Sequence, residues 1–217
     1  LVNDVLDMNK LESGNIQLER KHFNLLELLH NTNEITRMQA NESGINYYVE
    51  DGEIIHTQLI GSPVHFQQIL MNIGSNAVKY NHDGGSVTVT CREVSYTDTT
   101  AEYELTCTDT GIGMSEEFQK KAFEPFAQEG QSARTNYAGT GLGLAIARKL
   151  IELQGGTLSF ESIQGKGTKF ILHISFEISA EESEKRSQMY QNCSVEGIQV
   201  LLAEDNELNM EIAEFLL

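Results

Sequence analysis

Proline is scarce in this 217-residue sequence, at two residues, and tryptophan is absent. So little proline excludes a proline-rich spacer or a low-complexity chain. Basic residues are also few: 15 Lys and Arg stand against 32 Asp and Glu, a formal net charge of −17. No basic face can cover phosphates, so direct DNA or RNA binding is not expected, nor is docking on an anionic membrane. No apolar run approaches the roughly 20 residues that a membrane helix needs. The opening LVNDVLDMNKLESG has neither the basic n-region nor the apolar core of a signal peptide, and it lacks an initiator Met. The expectation is a fragment of a longer, cytoplasmic protein. Cys91, Cys107 and Cys193 show no CxxC spacing, which fits free thiols in a reducing compartment better than a disulfide scaffold or a zinc site.

What is present is enough apolar material for a packed core, 40% of residues. Leu1, Val2, Val5, Leu6, Met8 and Leu11 read as a helix end stopped by Gly14. Ile16, Leu18 and Phe23 suggest a short strand. Leu25, Leu28, Leu29, Ile35 and Met38 predict a helix over 24–43, and two short strands follow at 45–50 and 54–59. Ser62-Pro63 reads as an N-cap with proline at the first helical position, opening a helix to about Asn81. Residues 86–95 and 100–108 alternate like paired strands. Met114-Ser115 opens a short helix, 124–140 is a long loop, and 142–154 is helical. Residues 157–162 and 168–178 form a hairpin across Gly165-Lys166-Gly167. The body is therefore α+β: a two-layer α/β sandwich, its sheet mixed but mostly antiparallel, with helices on one face. Residues 179–197 read as a polar linker, and 198–217 as an apolar strand followed by the start of a helix.

Three segments carry candidate chemistry. In FQQILMNIGSNAVKYN, at about 100° per residue, Asn72, Asn76, Lys79 and Tyr80 share one arc, with Phe66, Ile69, Leu70, Ile73 and Ala77 on the adjoining one. Two carboxamides, an amine and a phenol suit a metal–phosphate ligand with an aromatic base, because amide oxygen is a hard ligand and lysine a point charge. An ordinary exposed polar face is the alternative. In TDTGIGM, Asp109 is a candidate acceptor for an exocyclic amine, and Gly111 and Gly113 would let backbone approach a ligand. By itself this could be any glycine turn after a strand. In GTGLGLAIARKL, glycines lead into a helix, so free N–H groups and the positive helix end form an anion site. It matches neither the Walker nor the dinucleotide spacing. Phe123 and Phe126, around Pro125, are hinge-anchoring aromatics or plain core.

The order of these motifs, an Asn-bearing helix, DTGIG, FEPF, GTGLGL and GKGT, resembles the catalytic ATP-binding domain of sensor histidine kinases, the Bergerat-type fold, over residues 14–178. The start DVLDMNKLESG (1–13) looks like the tail of that family's dimerisation helix. VLLAEDNELNMEIAEFLL (198–217) looks like the start of a receiver domain, so the parent resembles a hybrid kinase. The resemblance implies ATP and Mg²⁺ as ligands. It implies that Asn76 ligates Mg²⁺ and that Asn72 contacts the metal–phosphate group or its waters. Lys79 would reach phosphate and Tyr80 would flank adenine. Asp109 would bind the adenine amine, supported by Thr168, with Gly111, Gly113 and Phe126 around the base and lid. Gly139, Gly141 and Gly143 would frame the phosphates near Thr140 and Leu142, and Arg134 is a candidate phosphate contact in the lid.

Two departures from the wider family matter. ATP-hydrolysing relatives carry Glu where Asn72 stands, and an amide cannot abstract a proton. None of the six histidines (His22, His30, His56, His65, His82, His173) lies in the phosphoacceptor context. Implied partners are a separate dimerisation/phosphoacceptor domain and a receiver domain or response regulator. A serine kinase or ATPase of the same fold, and a nucleotide-free partner-binding module, are the competing possibilities.

Overall fold

The structure, a computed structural model, describes residues 2–14, 16–129 and 140–180. Arg134, Gly139, Cys193 and the 198–217 receiver-like segment lie outside the described residues, as does all but the first two residues of the 179–197 linker. The elements are α1 (Val2–Glu12), β1 (Lys21–Asn24), α2 (Leu25–Glu42), β2 (Asn46–Asp51), β3 (Gln58–Gly61), α3 (Pro63–Lys79), β4 (Ser86–Tyr96), β5 (Thr100–Asp109), α4 (Glu116–Gln119), α5 (Gly143–Leu153), β6 (Thr157–Ile163) and β7 (Gly167–Ile178).

The strands form one sheet in the order β1-β3-β7-β5-β4-β2, and β6 also pairs with β7. Only β2 and β4 run parallel; every other pairing is antiparallel. The two central strands alternate strictly. Ala101, Tyr103, Leu105, Cys107 and Asp109 of β5 are buried, as are Phe170, Leu172, Ile174, Phe176 and Ile178 of β7. The register pairs Tyr103 with Ile174, Leu105 with Leu172 and Cys107 with Phe170, so these side chains share one face. That face carries the helices. α3 supplies Phe66, Ile69, Ile73 and Ala77 to the core, and α5 supplies Ile146, Ala147, Leu150 and Ile151. α3 packs between α2 and α5, and α1 lies against α5 with Leu11 buried.

Phe176 is the aromatic hub: its ring meets Phe23 at 5.2 Å and Phe66 at 5.1 Å, both edge-on. Burial pushes the thiols of Cys91 and Cys107 up to about 12, so both stay protonated and poorly nucleophilic.

Three local expectations need correction. Ile16 and Leu18 are not in a strand; β1 begins at Lys21, where its partner Gly61 ends β3. The strand expected over 54–59 pairs only from Gln58 to Gly61. Its first residues are held by side-chain bonds instead: Glu93 Oε2 accepts the N–H groups of Ile55 and His56, both at 2.8 Å. Ser62 sits at the N-cap of α3, but its hydroxyl does not cap the helix. It pairs with His65 Nδ1 at 2.7 Å and accepts the Glu19 N–H at 3.2 Å, a tertiary use that sequence proximity does not reveal.

Candidate nucleotide site

The alternation of β5 brings its last residue, Asp109, onto the helix side of the sheet at the strand's end. It is 7% exposed. Its Oδ1 accepts the Gly111 N–H at 2.8 Å and the Thr168 N–H at 3.2 Å, while Oδ2 has no partner among the described residues. Burial pushes the carboxyl up to about 6, against the pull of those two backbone bonds, which favour the charged form. A partly desolvated carboxylate with one oxygen to spare is an acceptor held ready for an N–H donor.

The DTGIG turn is fixed on two sides. Ile112 donates its N–H to the carbonyl of Tyr80, at the end of α3, and accepts the Gly165 N–H from the β6–β7 turn. Gly111 lies so near Tyr80 that a Cβ there would meet its carbonyl oxygen at 2.3 Å. Gly113 has φ +61, and a Cβ would meet the Ile163 oxygen at 2.1 Å. Gly113→Ala is therefore expected to destabilise the chain by about 2 kcal/mol or more, from strain plus forced separation of the turn. A thermal melt checks it: an unchanged Tm would mean the turn is free to shift.

On α3, Asn72 and Asn76 do lie on one face, and α5 begins opposite them. A Cβ on Gly143 would stand 3.6 Å from Asn72 Oδ1 and 3.9 Å from Asn76 Nδ2. Asn72 Nδ2 is buried without a hydrogen-bond partner. A buried unpaired amide is costly unless a ligand or water completes it. Leu142 holds the N-cap position of α5 and offers no capping side chain. The N–H groups of Gly143, Leu144 and Ala145 have no acceptor within the helix. Donor groups from two elements thus converge where an anion would be stabilised by the helix dipole.

The remaining candidates fall around this centre. Lys79 Nζ lies 4.9 Å from the centroid of the Tyr80 ring, and Tyr80, 38% exposed, closes α3 as its C-cap. Leu142 is fully buried, and its carbonyl accepts the Ile146 N–H. Thr140 accepts the Leu142 N–H through Oγ1 at 3.2 Å. Phe123 and Phe126 divide the two roles expected of them. Phe123 packs on Phe160 at 5.3 Å, whereas Phe126 is 65% exposed. Phe126 is the only described non-glycine residue with positive φ, at 63°. Its N–H bonds the Gly141 carbonyl at 2.9 Å, and Gly141, at φ +70, leaves no room for a Cβ there. The two sides of the 127–140 loop are joined at that point.

Sequence reasoning missed Ser162 and Gln119. Ser162 Oγ accepts the Met114 N–H at 2.9 Å and meets Thr168 Oγ1 at 2.9 Å. Gln119 Nε2 donates to the carbonyls of Met114 and Ser162, at 2.9 and 3.1 Å. Counting the hairpin outward from the three-residue turn Gln164-Gly165-Lys166 would have set Ser162 opposite Thr168, as the register does. Nothing in the sequence places Gln119.

This geometry, a half-desolvated carboxylate at a strand end and an amide-lined, N–H-rich anion cradle on an α/β sandwich, defines a nucleotide-binding class of site. Residues 61–178 match the family described as histidine kinase-, DNA gyrase B- and HSP90-like ATPase, and the chain belongs to that family. It is 32% identical over 179 residues to the signal transduction histidine-protein kinase BarA of Escherichia coli K12, covering 82% of this chain and 19% of that protein. It is 32% identical over 219 residues to the autoinducer 2 sensor kinase/phosphatase LuxQ of Vibrio cholerae, covering 99% of this chain and 25% of that protein. The chain thus spans a quarter or less of the length of these relatives. The crystal structure of full-length ShkA in complex with AMPPNP superposes with a TM-score of 0.67 at 28% identity, covering 83% of this chain and 36% of that one. The nucleotide-free catalytic domain of histidine kinase ThkA gives 0.59 at 26% identity, covering 72% and 97%.

Proposed function

We propose that this chain is the ATP-binding catalytic part of a hybrid sensor histidine kinase, which binds Mg-ATP and delivers the γ-phosphate to a histidine on a separate dimerisation domain. The observation that carries this is the meeting of Asn72, Asn76 and the uncapped start of α5 at Gly143, with Asp109 held apart by the DTGIG turn. Asp109 Oδ2 accepts the adenine amine. Tyr80 flanks the base, and Lys79 turns its ammonium toward the phosphates. Gly141, Gly143 and the backbone of Leu142 frame the phosphate chain, with Gly139, Thr140 and Arg134 assigned to the same loop.

Among the described residues no cluster of three His, Cys, Asp or Glu could hold a metal by itself. The donor set fits Mg²⁺ all the same, because that ion commonly takes one or two protein oxygens and fills its octahedron with phosphate and water. Asn76 Oδ1 would be the protein ligand and Asn72 would bond its waters or the phosphates. When bound, the ion neutralises charge on the transferred phosphoryl group. The chain's own contribution is positioning and electrostatic complementarity, which phosphoryl transfer chiefly needs. Asn72 cannot act as a base, so rapid hydrolysis by activated water is not expected.

The likeness to kinases named as sensors supports a membrane-anchored or cytoplasmic parent whose catalytic part works in the cytoplasm. No described helix is long and apolar enough to cross a membrane. The packing of α1 on α5 fits residues 1–13 as the end of a dimerisation helix, and a receiver domain or response regulator is the onward partner.

Calorimetric titration with a non-hydrolysable ATP analogue and Mg²⁺ should show saturable binding. Incubation with γ-labelled ATP should leave the chain unlabelled, because no phosphoacceptor histidine is present. Absence of binding at millimolar nucleotide would sink the proposal, and labelled chain would refute the division of roles.

A further inference from the structure

Three strands of the sheet, β1, β6 and β2, each have a side that no other described strand covers. The first two are guarded. β1 has only four residues and begins at Lys21, beside Arg20. On β6, Gln119 Nε2 takes the Ser162 carbonyl. β2 has six residues in unbroken register with β4, and it contains no proline, no bulge and no basic side chain, the usual devices that keep an edge from pairing.

The direction of its free groups follows from the pairing. Residues of a parallel strand face their neighbour alternately. Asn46 donates its N–H to the Gly85 carbonyl at 2.9 Å, so Asn46, Tyr48 and Glu50 bond toward β4. Tyr47 and Val49 therefore turn their N–H and C=O groups outward, where no described residue bonds them. The side chains around this row are open: Tyr48, on the helix-free face, is 54% exposed, and Val49, on the helix side, is 40% exposed.

Charge selects what can pair there. From Met38 to Val78 the sequence has four acids, Glu42, Glu50, Asp51 and Glu53, and no Lys or Arg. The two cations nearest to β2 are already engaged: Arg37 pairs with Glu34 at 2.6 Å, and Arg92 with Glu104 at 2.7 Å. A second copy of this chain, at −17 and with the same acids on its edge, is repelled.

We propose that β2 is an acceptor edge onto which a partner protein adds an extended basic strand, bonded to the outward N–H and C=O groups of Tyr47 and Val49. The partner strand alternates Lys or Arg with small apolar residues. On the helix-free face its cations lie beside Glu50 and their stems cover Tyr48. On the other face its apolar residues lie beside Val49.

The test adds an end-capped KVKVKV hexapeptide to the whole chain, follows amide hydrogen exchange residue by residue by NMR, and uses EVEVEV as the control. Exchange at Tyr47 and Val49 should slow by about tenfold or more, while Tyr48 and Glu50, already bonded to β4, stay unchanged. The effect should weaken as salt rises, and EVEVEV should give none. No slowing at Tyr47 and Val49 with millimolar KVKVKV, or equal slowing by EVEVEV, would overturn the proposal. Slowing that grows with protein concentration in the absence of peptide would make a second copy the occupant and overturn it too. Val49→Pro removes an outward donor but no bond to β4, and should abolish the protection at Tyr47. Should that variant fail to fold, Glu50→Lys, a surface change, must weaken KVKVKV binding by about tenfold, and undiminished binding overturns the proposal equally. Both variants should bind Mg-ATP as the parent does, so loss of peptide binding and loss of nucleotide binding are separate failures.

Discussion

Asp109→Asn is expected to weaken adenine nucleotide binding by about 100-fold or more while raising the Tm of the free protein. Both effects come from one carboxylate. The substituted carboxamide would keep an oxygen for the Gly111 and Thr168 N–H groups but would turn an NH₂ toward the adenine amine, leaving two donors face to face in a partly buried site. In the free protein the charge itself is the cost. Asp109 is raised from 3.8 to about 6 by burial. Its folded-state value exceeds the unfolded one, so its contribution to stability is full below 3.8 and is lost as pH rises through about 6. At neutral pH the penalty is about 3 kcal/mol. That penalty is already net of the two backbone bonds that favour the charge, so the gain should be up to about 3 kcal/mol, a Tm rise of several degrees. A variant less stable than the parent would contradict this account. The same titration makes ATP affinity fall as pH drops below about 6. Asp109→Asn should lack that component, which separates it from protonation of the nucleotide's own phosphates.

Asn76→Asp is expected to weaken Mg-ATP binding by about 10- to 100-fold while leaving adenosine affinity unchanged. The neutral amide lets α3 approach a triphosphate without opposing its charge. A carboxylate there would gain on the ion but repel several phosphate oxygens at short range, where two charges at about 4 Å interact by about 4 kcal/mol at an effective dielectric near 20. Titrations with and without Mg²⁺, against both ligands, check this. Equal affinity of the variant and the parent for Mg-ATP would place the metal elsewhere.

These two positions illustrate how unevenly the site could be read beforehand. The helical arc of Asn72, Asn76 and Lys79 follows from rotation of 100° per residue, a local property of the chain. Asp109 was legible for a similar reason: strict alternation from Ala101 onward puts it on the buried face. Leu142 was harder. The glycines around it suggested ligand contact, yet the residue is fully buried in the core. Ser62 carried the expected capping sequence but spends its hydroxyl on His65 and Glu19. Such reassignments come from partners far along the chain, which no local pattern encodes.

The sequence by itself determined the periods: which residues alternate, which share a helical face, where glycine permits a turn, and the order of motifs that marks the family. Those are short-range consequences of backbone geometry. Only the tertiary structure decided that Gly143 would stand against Asn72 and Asn76, that Phe126 would meet Gly141, and that Ser162 and Gln119 would brace Asp109 through Thr168 and Met114. Those contacts join segments brought together by packing of the helices on one sheet face, and the energy that selects them is shared across the whole core.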